Sequence, residues 1–205
     1  MVDSTAIVMA IGGYLVGGIP FGIVSSRLFG KPDPRTAGSG NVGFTNVLRV
    51  SGTPAGLLTL LGDFGKGWLI AWLATNYVAD SLSILIVAFT AVLGHVFSPY
   101  LRFQGGKGVA TALGVVFGLA PGIGLTLLAI WLNVAVIWRY SSGAALTAFT
   151  ALPLVSLLAG HDWSFVLFTL VLSTLIVQRH GQNLKRLWQG TEPKFGQGIR
   201  PKKTN

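Results

Sequence analysis

Two polar, glycine-rich runs stand out in a chain that is otherwise apolar. The first is Gly38-Ser39-Gly40-Asn41-Val42-Gly43-Phe44-Thr45-Asn46-Val47-Leu48-Arg49. Its glycines offer backbone N–H donors with little bulk, and Ser39, Thr45 and Arg49 add hydroxyls and one fixed charge. Such a run suits an anion better than a packed core. The second is Gly105-Gly106-Lys107-Gly108-Val109-Ala110-Thr111. Glycines ahead of a helix start present free N–H groups and the positive end of the macrodipole, and Lys107 adds a movable cation. This is a phosphate site by physics. It is not a Walker A loop, because the G-x-x-x-x-G-K-[ST] spacing is absent and Gly108 follows the lysine. ATP hydrolysis is therefore unsupported. The bland alternatives are a polar loop for the first run and a plain helix-entry turn for the second.

Other residues invite a similar double reading. Asp63-x-x-Lys66-Gly67 puts an ionisable pair one turn apart inside an apolar run. Such a pair must face protein or water, and both a structural salt bridge and a substrate role fit the spacing. In Gly94-His95-x-x-Ser98, His95 suits a satisfied structural histidine as well as a site residue. Ser141-Ser142 is most simply a helix N-cap, although a cap also exposes donors to an anion. His180 and Asn183 lie one turn apart after Arg179. With Leu184, Leu187 and Trp188 they suit a helix lying on a membrane surface. No His–Asp set accompanies Ser39, so a serine-hydrolase triad is not indicated.

The elements that carry these residues are membrane spans. The chain has 205 residues, 51% hydrophobic and 10% charged, where soluble domains run near 25% charged. Apolar runs fall at about 5–28, 54–78, 81–99, 108–120, 122–138, 143–160 and 163–178. Most approach the ~20 residues that a crossing helix needs. Asp3 precedes the first run and Arg27 closes it, a polarity opposite to that of a cleaved signal peptide. Gly13-x-x-x-Gly17 within it reads as a small-residue packing face.

Residues 109–138 are interrupted by Ala120-Pro121-Gly122, which either kinks one helix or turns between two. Charge decides. Seven spans with the N-terminus outside leave fourteen of the fifteen basic residues at the cytoplasmic side or tail, with Lys66 inside a span. Six spans would put Arg139, Arg179, Lys185, Arg186, Lys194, Arg200, Lys202 and Lys203 outside, against the positive-inside rule. The expectation is an all-α integral membrane protein of seven helices. It forms one membrane domain over residues 1–205, with a cytoplasmic C-terminus, a short fourth span and a tail that frays from about Thr191. The net charge of +9 belongs to cytoplasmic loops, and no nucleic-acid motif accompanies it. The absence of Cys excludes disulfides and thiolate catalysis.

Three ordered motifs now resemble a known family. They are Gly38-Ser39-Gly40-Asn41-x-Gly43-x-Thr45-Asn46-x-x-Arg49, then Gly94-His95-x-x-Ser98-x-x-x-x-Phe103-x-Gly105-Gly106-Lys107-Gly108-Val109-Ala110-Thr111, then His180-x-x-Asn183 with Gly190-Thr191-Glu192. Together they resemble the bacterial acyl-phosphate:glycerol-3-phosphate acyltransferases over residues 12 to 192. Gly181-Gln182 departs from the basic-acidic pair common there, and leaves His180 and Asn183 in place.

The resemblance implies transfer of a fatty acyl group from acyl phosphate to the 1-hydroxyl of glycerol 3-phosphate. The products are lysophosphatidate and phosphate, in membrane phospholipid synthesis at the bacterial inner membrane, with the site facing the cytoplasm. It carries catalytic or essential roles to Ser39, Arg49, His180 and Asn183, a phosphate-holding role to the loop around Lys107, and a structural one to Glu192. Gly38, Gly40, Asn41, Thr45, Asn46, Lys66, His95, Gly105, Gly106, Gly108, Thr111 and Ser142 complete the expected substrate contacts. No cofactor, metal or nucleic acid is called for; the partners are acyl phosphate, glycerol 3-phosphate and membrane lipid. The alternative is a transporter of a small organic phosphate. That class tends to show internal repeats and a midplane site, whereas the polar groups here gather on one face.

Overall fold

The structure, a computed structural model, describes residues 4–196. Asp3, Arg200, Lys202 and Lys203, which entered the charge count above, lie outside the described residues. Among the described residues all regular structure is helical: α1 Ser4–Gly18, α2 Phe21–Leu28, α3 Phe44–Ser51, α4 Thr53–Tyr77, α5 Ser81–Val96, α6 Val109–Leu119, α7 Pro121–Trp138, α8 Ser141–Leu158, α9 Trp163–Arg179 and α10 Gly181–Trp188.

The apolar runs became helices within three residues of the expected limits, with one difference. The run over 5–28 is not one rod: α1 and α2 bend by 44° at the break that contains Pro20, where the missing N–H interrupts the helical ladder. The fourth run gives α6, with 11 residues, about 16 Å of rise against the ~30 Å of a hydrocarbon core. Four stretches are long and apolar enough to cross a membrane, or up to six if each bent pair counts as one span.

The Ala120-Pro121 break is a reversal. A Cβ on Gly124 would lie 3.0 Å from Phe117 Cα, whereas an unbroken helix would separate those residues by about 10 Å. So α6 and α7 form a hairpin.

Helices meet through small residues, as lipid-embedded helices must when no water drives them together. A side chain on Gly17 would overlap the Ala91 backbone, and one on Gly94 the Tyr14 carbonyl, so α1 and α5 touch backbone to backbone. On the other side of α4, Gly67 abuts the Thr111 carbonyl and Gly114 abuts the Phe64 carbonyl, bringing α6 equally close. This bears out the packing role read for the Gly13/Gly17 pair. The hydrophobic core runs through α4, α5, α6, α8 and α9, from Ala71, Val92 and Val115 to Leu152 and Leu172, all inaccessible.

Of the tail expected to fray from about Thr191, residues 197–205 lie outside the described residues, and residues 191–196 are docked. Phe195 N–H donates to the Arg139 carbonyl at 2.7 Å, Arg139 Nη2 donates to the Phe195 carbonyl at 3.0 Å, and the Phe195 ring packs edge-on to Trp131. The polar composition hid this docking, because one aromatic ring and one backbone pair anchor the segment.

Candidate active site

One end of the helical assembly holds a cavity of about 1050 Å³ lined by residues of α3 to α8 and α10 and of the segments beside them. Three helices begin at its wall: Gly43, Phe44 and Thr45 from α3, Gly108, Val109 and Ala110 from α6, and Tyr140, Ser141 and Ser142 from α8. No side chain caps any of these three starts. The first N–H groups of a helix have no intrahelical acceptor. In α6 the first bond is Ala112 N–H to the Gly108 carbonyl, and in α8 it is Ala144 N–H to the Tyr140 carbonyl. Three positive dipole ends therefore converge on one space, together with Arg49, Lys107, Arg186 and Lys194. An anion is the natural occupant.

The donors are not those the glycines suggested. Three of the six N–H groups of residues 38–43 are spent internally: Ser39 N–H on Asn46 Oδ1, Gly40 N–H on the Ala37 carbonyl, Gly43 N–H on Asn41 Oδ1. Buried Asn46 organises the loop, its Nδ2 donating to the carbonyls of Pro34, Ala37 and Asn41. Gly38 sits at φ +61 beside Asn46, a turn that a side chain would block twice over. The loop thus works as a rigid frame. It sets Ser39 and Arg49 on the cavity wall, and leaves Gly40 off it.

The second loop follows the same rule. Gly105 and Gly106 do not line the cavity; their N–H groups donate to the carbonyls of Val96 and His95, closing the end of α5. Thr111 is fully buried, its carbonyl pressed on Gly67. Gly106 has no room for a side chain because His95 Nε2 occupies that space. The correction is that glycines 105 and 106 tie the loop down, and the free donors belong to the helix start beyond Gly108.

Lys66 is also corrected: it is buried away from the cavity, paired with Asp63 Oδ1 at 2.8 Å and donating to the Ile19 carbonyl at 2.8 Å. The salt bridge read from the spacing is present, and Asp63, unlike Lys66, also lines the cavity. His95 does line the cavity, with Nδ1 3.4 Å from Asp63 Oδ1. Ser141 and Ser142 are not caps. Ser141 Oγ bonds Thr45 Oγ1 at 2.8 Å, and Ser142 Oγ donates to Glu192 Oε1 at 2.6 Å, which frees the α8 start for a ligand.

The third motif closes the site. His180 is held through Nδ1 on the Ile176 carbonyl at 2.8 Å, so in its neutral form Nδ1 carries the proton and Nε2 keeps a lone pair. Burial pushes the imidazole down to about 4, with the nearby Lys107 cation acting in the same direction. His180 is thus neutral in ordinary conditions. Lys107 Nζ donates to Asn183 Oδ1, and burial pushes its ammonium down to about 8. Asn183 Nδ2 in turn donates to Glu192 Oε1 at 2.6 Å, while Arg186 Nε donates to Glu192 Oε2 at 2.7 Å. Burial opposes the charge on Glu192, yet the hydrogen bonds from Ser142, Asn183 and Arg186 outweigh it and hold the carboxyl below its usual range. Glu192 therefore joins α8, α10 and the segment that follows, and through Asn183 it orients Lys107.

Beyond this polar end the cavity continues as an apolar groove. Its walls include Leu113 from α6, Leu128, Trp131 and Leu132 from α7, and Ala145 from α8. It closes on Leu127 and Phe149, both almost inaccessible. Val136 and Leu132, on α7, are exposed at 76% and 48%, so the groove is open on its α7 side. The Trp131 indole N–H is buried without a hydrogen bond among the described residues, a state that costs about 1–3 kcal/mol.

The cavity brings together Gly38, Ser39, Asn41, Thr45, Asn46, Arg49, His95, Lys107, Gly108, Ser142, His180, Asn183 and Glu192. Asp63 and Ser141, which the sequence offered with a double reading, also line it, and sequence reasoning missed Arg186, Lys194, Trp131 and Phe195 as lining residues. Arg186 was findable, three residues after Asn183 on one helical face. For Trp131 and Phe195 no local signal exists.

Comparisons with known proteins fit this geometry. A family profile described as Glycerol-3-phosphate acyltransferase matches residues 7–190. The glycerol-3-phosphate acyltransferase of Aromatoleum aromaticum is 46% identical over 191 residues, covering 93% of this chain and 96% of that protein. The one from Methylobacillus flagellatus is 47% identical over 190 residues, covering 92% and 96%. A crystal structure of PlsY, an integral membrane glycerol 3-phosphate acyltransferase, in its glycerol 3-phosphate form superposes with a TM-score of 0.89 at 40% identity, over 94% of this chain and 96% of that one. Its lysophosphatidic acid form gives 0.85 at 38% identity, with the same coverage. With the family pattern matched over most of its length and its polar cavity built from the same motifs, the chain belongs to the glycerol-3-phosphate acyltransferase family.

Proposed function

We propose that this enzyme moves a fatty acyl group from acyl phosphate to the 1-hydroxyl of glycerol 3-phosphate, releasing lysophosphatidate and phosphate. The observation that carries the reading is one cavity with two halves. Its cationic end, with three helix starts, suits phosphates, and its apolar groove suits an acyl chain. A transporter of a small organic phosphate has no use for the second half.

In this reading the substrate hydroxyl attacks the acyl carbonyl directly. A new C–O bond forms, the bond from carbonyl carbon to phosphate oxygen breaks, and inorganic phosphate leaves. Acyl phosphate already carries a good leaving group, so no covalent enzyme intermediate is needed. The N–H groups at the starts of α6 and α8, with Ser39 and Lys107, stabilise the oxyanion and the departing phosphate; one such donor is commonly worth about 10²–10³ in rate. Arg49, which makes no hydrogen bond or ion pair among the described residues, is left for a substrate phosphate. The hydroxyl proton goes to a substrate phosphate dianion, whose second pKa lies near ~6. The Nε2 lone pair of neutral His180 and the Asn183 amide orient the acceptor.

The proposal includes the setting. The chain forms a single domain in the bacterial cytoplasmic membrane, with the N-terminus outside and the C-terminus and site on the cytoplasmic side. Seven helical segments, α1 with α2 and then α4 to α9, make up the membrane part, the short α6 dipping in from the cytoplasmic face. Support comes from the positive-inside count and from the α6–α7 hairpin. α10 lies on the surface, with Trp188 93% exposed as an interfacial anchor.

The test is to incubate the purified protein with acyl phosphate and labelled glycerol 3-phosphate and look for lysophosphatidate. Formation of labelled lysophosphatidate with one phosphate released per turnover is expected. Its absence, with both substrates present, would overturn the reading.

A further inference from the structure

Residues 191–196 begin where the family profile ends, at residue 190. They nevertheless form part of the cavity wall: Pro193, Lys194 and Phe195 all line it. The anchor is specific. Phe195 exchanges a two-point contact with Arg139 through its backbone, and Lys194 Nζ sits 5.3 Å from the centre of the Tyr140 ring. Arg139 and Tyr140 immediately precede the start of α8, one of the three helix ends facing the anion space.

The Phe195 ring lies 6.2 Å from the Trp131 ring at 78°. Trp131 belongs to the apolar groove, and Glu192 and Lys194 belong to the polar end. The ring pair thus covers the junction between the two halves. On the proposed reaction, the acyl carbonyl must sit at that junction, because its chain lies in the groove and its phosphate lies among the cations. The Trp131 indole N–H is buried at this junction without a hydrogen bond among the described residues.

We propose that segment 193–196 is a water-excluding cover, with Phe195 over Trp131 as the shield that keeps acyl phosphate from hydrolysis while glycerol 3-phosphate attacks. This rests on the acyl-phosphate reading above. Water is the competing nucleophile: its oxygen would bond the carbonyl carbon, the same bond to phosphate oxygen would break, and its proton would go to phosphate. The products would be free fatty acid and phosphate. A dry junction removes that route and strengthens every charge contact in the site.

The substitution Phe195→Ala leaves the backbone pair to Arg139 and the Glu192 contacts in place, so the segment keeps its anchor. The experiment uses the full chain in lipid vesicles and measures phosphate and lysophosphatidate in the same reaction, with and without glycerol 3-phosphate. The wild type should release about one phosphate per lysophosphatidate. Phe195→Ala should release phosphate in excess and raise acceptor-free hydrolysis by roughly tenfold or more. Phe195→Leu should fall between, and Phe195→Trp should restore tight coupling, since coupling follows the size of the cover. A Phe195→Ala enzyme still at one phosphate per lysophosphatidate, whether fast or slow, would overturn the proposal. So would an uncoupling that Phe195→Trp fails to reverse. A wild-type chain that makes no lysophosphatidate would instead defeat the acyl-transfer reading, and the acceptor-free hydrolysis of the variants would still report on the cover.

Discussion

Lys107 should give this enzyme an alkaline limb that a single substitution moves. Its ammonium is pushed down to about 8 by burial, and among the described residues only Asn183 holds it by a hydrogen bond. A cation with a lowered pKa is fully charged below that value and loses its charge as pH rises through it. With a pKa of about 8, roughly nine-tenths of the free enzyme carries the charge at pH 7, and roughly one-tenth at pH 9. The value of kcat/KM for glycerol 3-phosphate should therefore fall about tenfold per pH unit above 8. The fall stops when the charge-assisted bond is wholly lost, at about 1.5–3 kcal/mol or roughly 10- to 150-fold. Bound phosphate favours the charged form, so the limb in kcat should lie at higher pH than the limb in kcat/KM. In Lys107→Arg the guanidinium stays charged, and the limb near 8 should vanish at some cost in absolute rate. The assay is initial-rate acyl transfer from pH 6 to 10 with acyl phosphate saturating. A limb near 8 that persists unchanged in Lys107→Arg would refute the reasoning.

Arg49→Ala should lose roughly 10- to 150-fold in kcat/KM at limiting glycerol 3-phosphate, and Arg49→Lys should fail as well because it lacks the planar fork; near-normal turnover would remove Arg49 from the site. Affinity for acyl phosphate should rise about fourfold per CH₂, at about 0.8 kcal/mol each, until the groove that ends at Leu127 and Phe149 is full. Equal use of a short, water-soluble donor would contradict the groove. No acyl group should be trapped on Ser39, and His180→Gln should retain measurable turnover without losing a neutral pKa, since burial holds that imidazole at about 4. A trapped acyl-Ser39, or a neutral pKa that disappears in His180→Gln, would show the mechanism to be wrong. A tag at the C-terminus and a label at Arg102 should report the same side of the membrane; opposite sides would exclude the seven-segment arrangement.

What could be read from the chain alone was whatever local composition determines. Helix positions followed from apolar runs, because a backbone in lipid must satisfy its own hydrogen bonds. The α6–α7 break followed from Ala120-Pro121-Gly122, since proline cannot continue a hydrogen-bonded ladder. The family followed from three motifs in a fixed order along the chain. The bend at Pro20 was less legible, because hydropathy reports burial in lipid and not the direction of a helix axis, whereas the shortness of α6 was expected.

The division of labour inside the site belonged to the tertiary structure. The sequence shows glycines and says nothing of where their N–H groups go. Only folding revealed that Asn46, Ala37 and Asn41 each take an N–H of one loop and that the carbonyls of His95 and Val96 take those of Gly106 and Gly105 in the other. Lys66 reads as a site cation until Asp63 and the Ile19 carbonyl are seen to occupy it. Ser141 and Ser142 read as caps until Thr45 and Glu192 claim their hydroxyls from distant positions. The Trp131–Phe195 contact joins residues on α7 and beyond α10 that share no motif. Hydrogen-bond partners and ring contacts at such separations depend on how the helices pack. Local propensity can set where a helix begins, but only packing decides which of its polar groups remain free for a substrate.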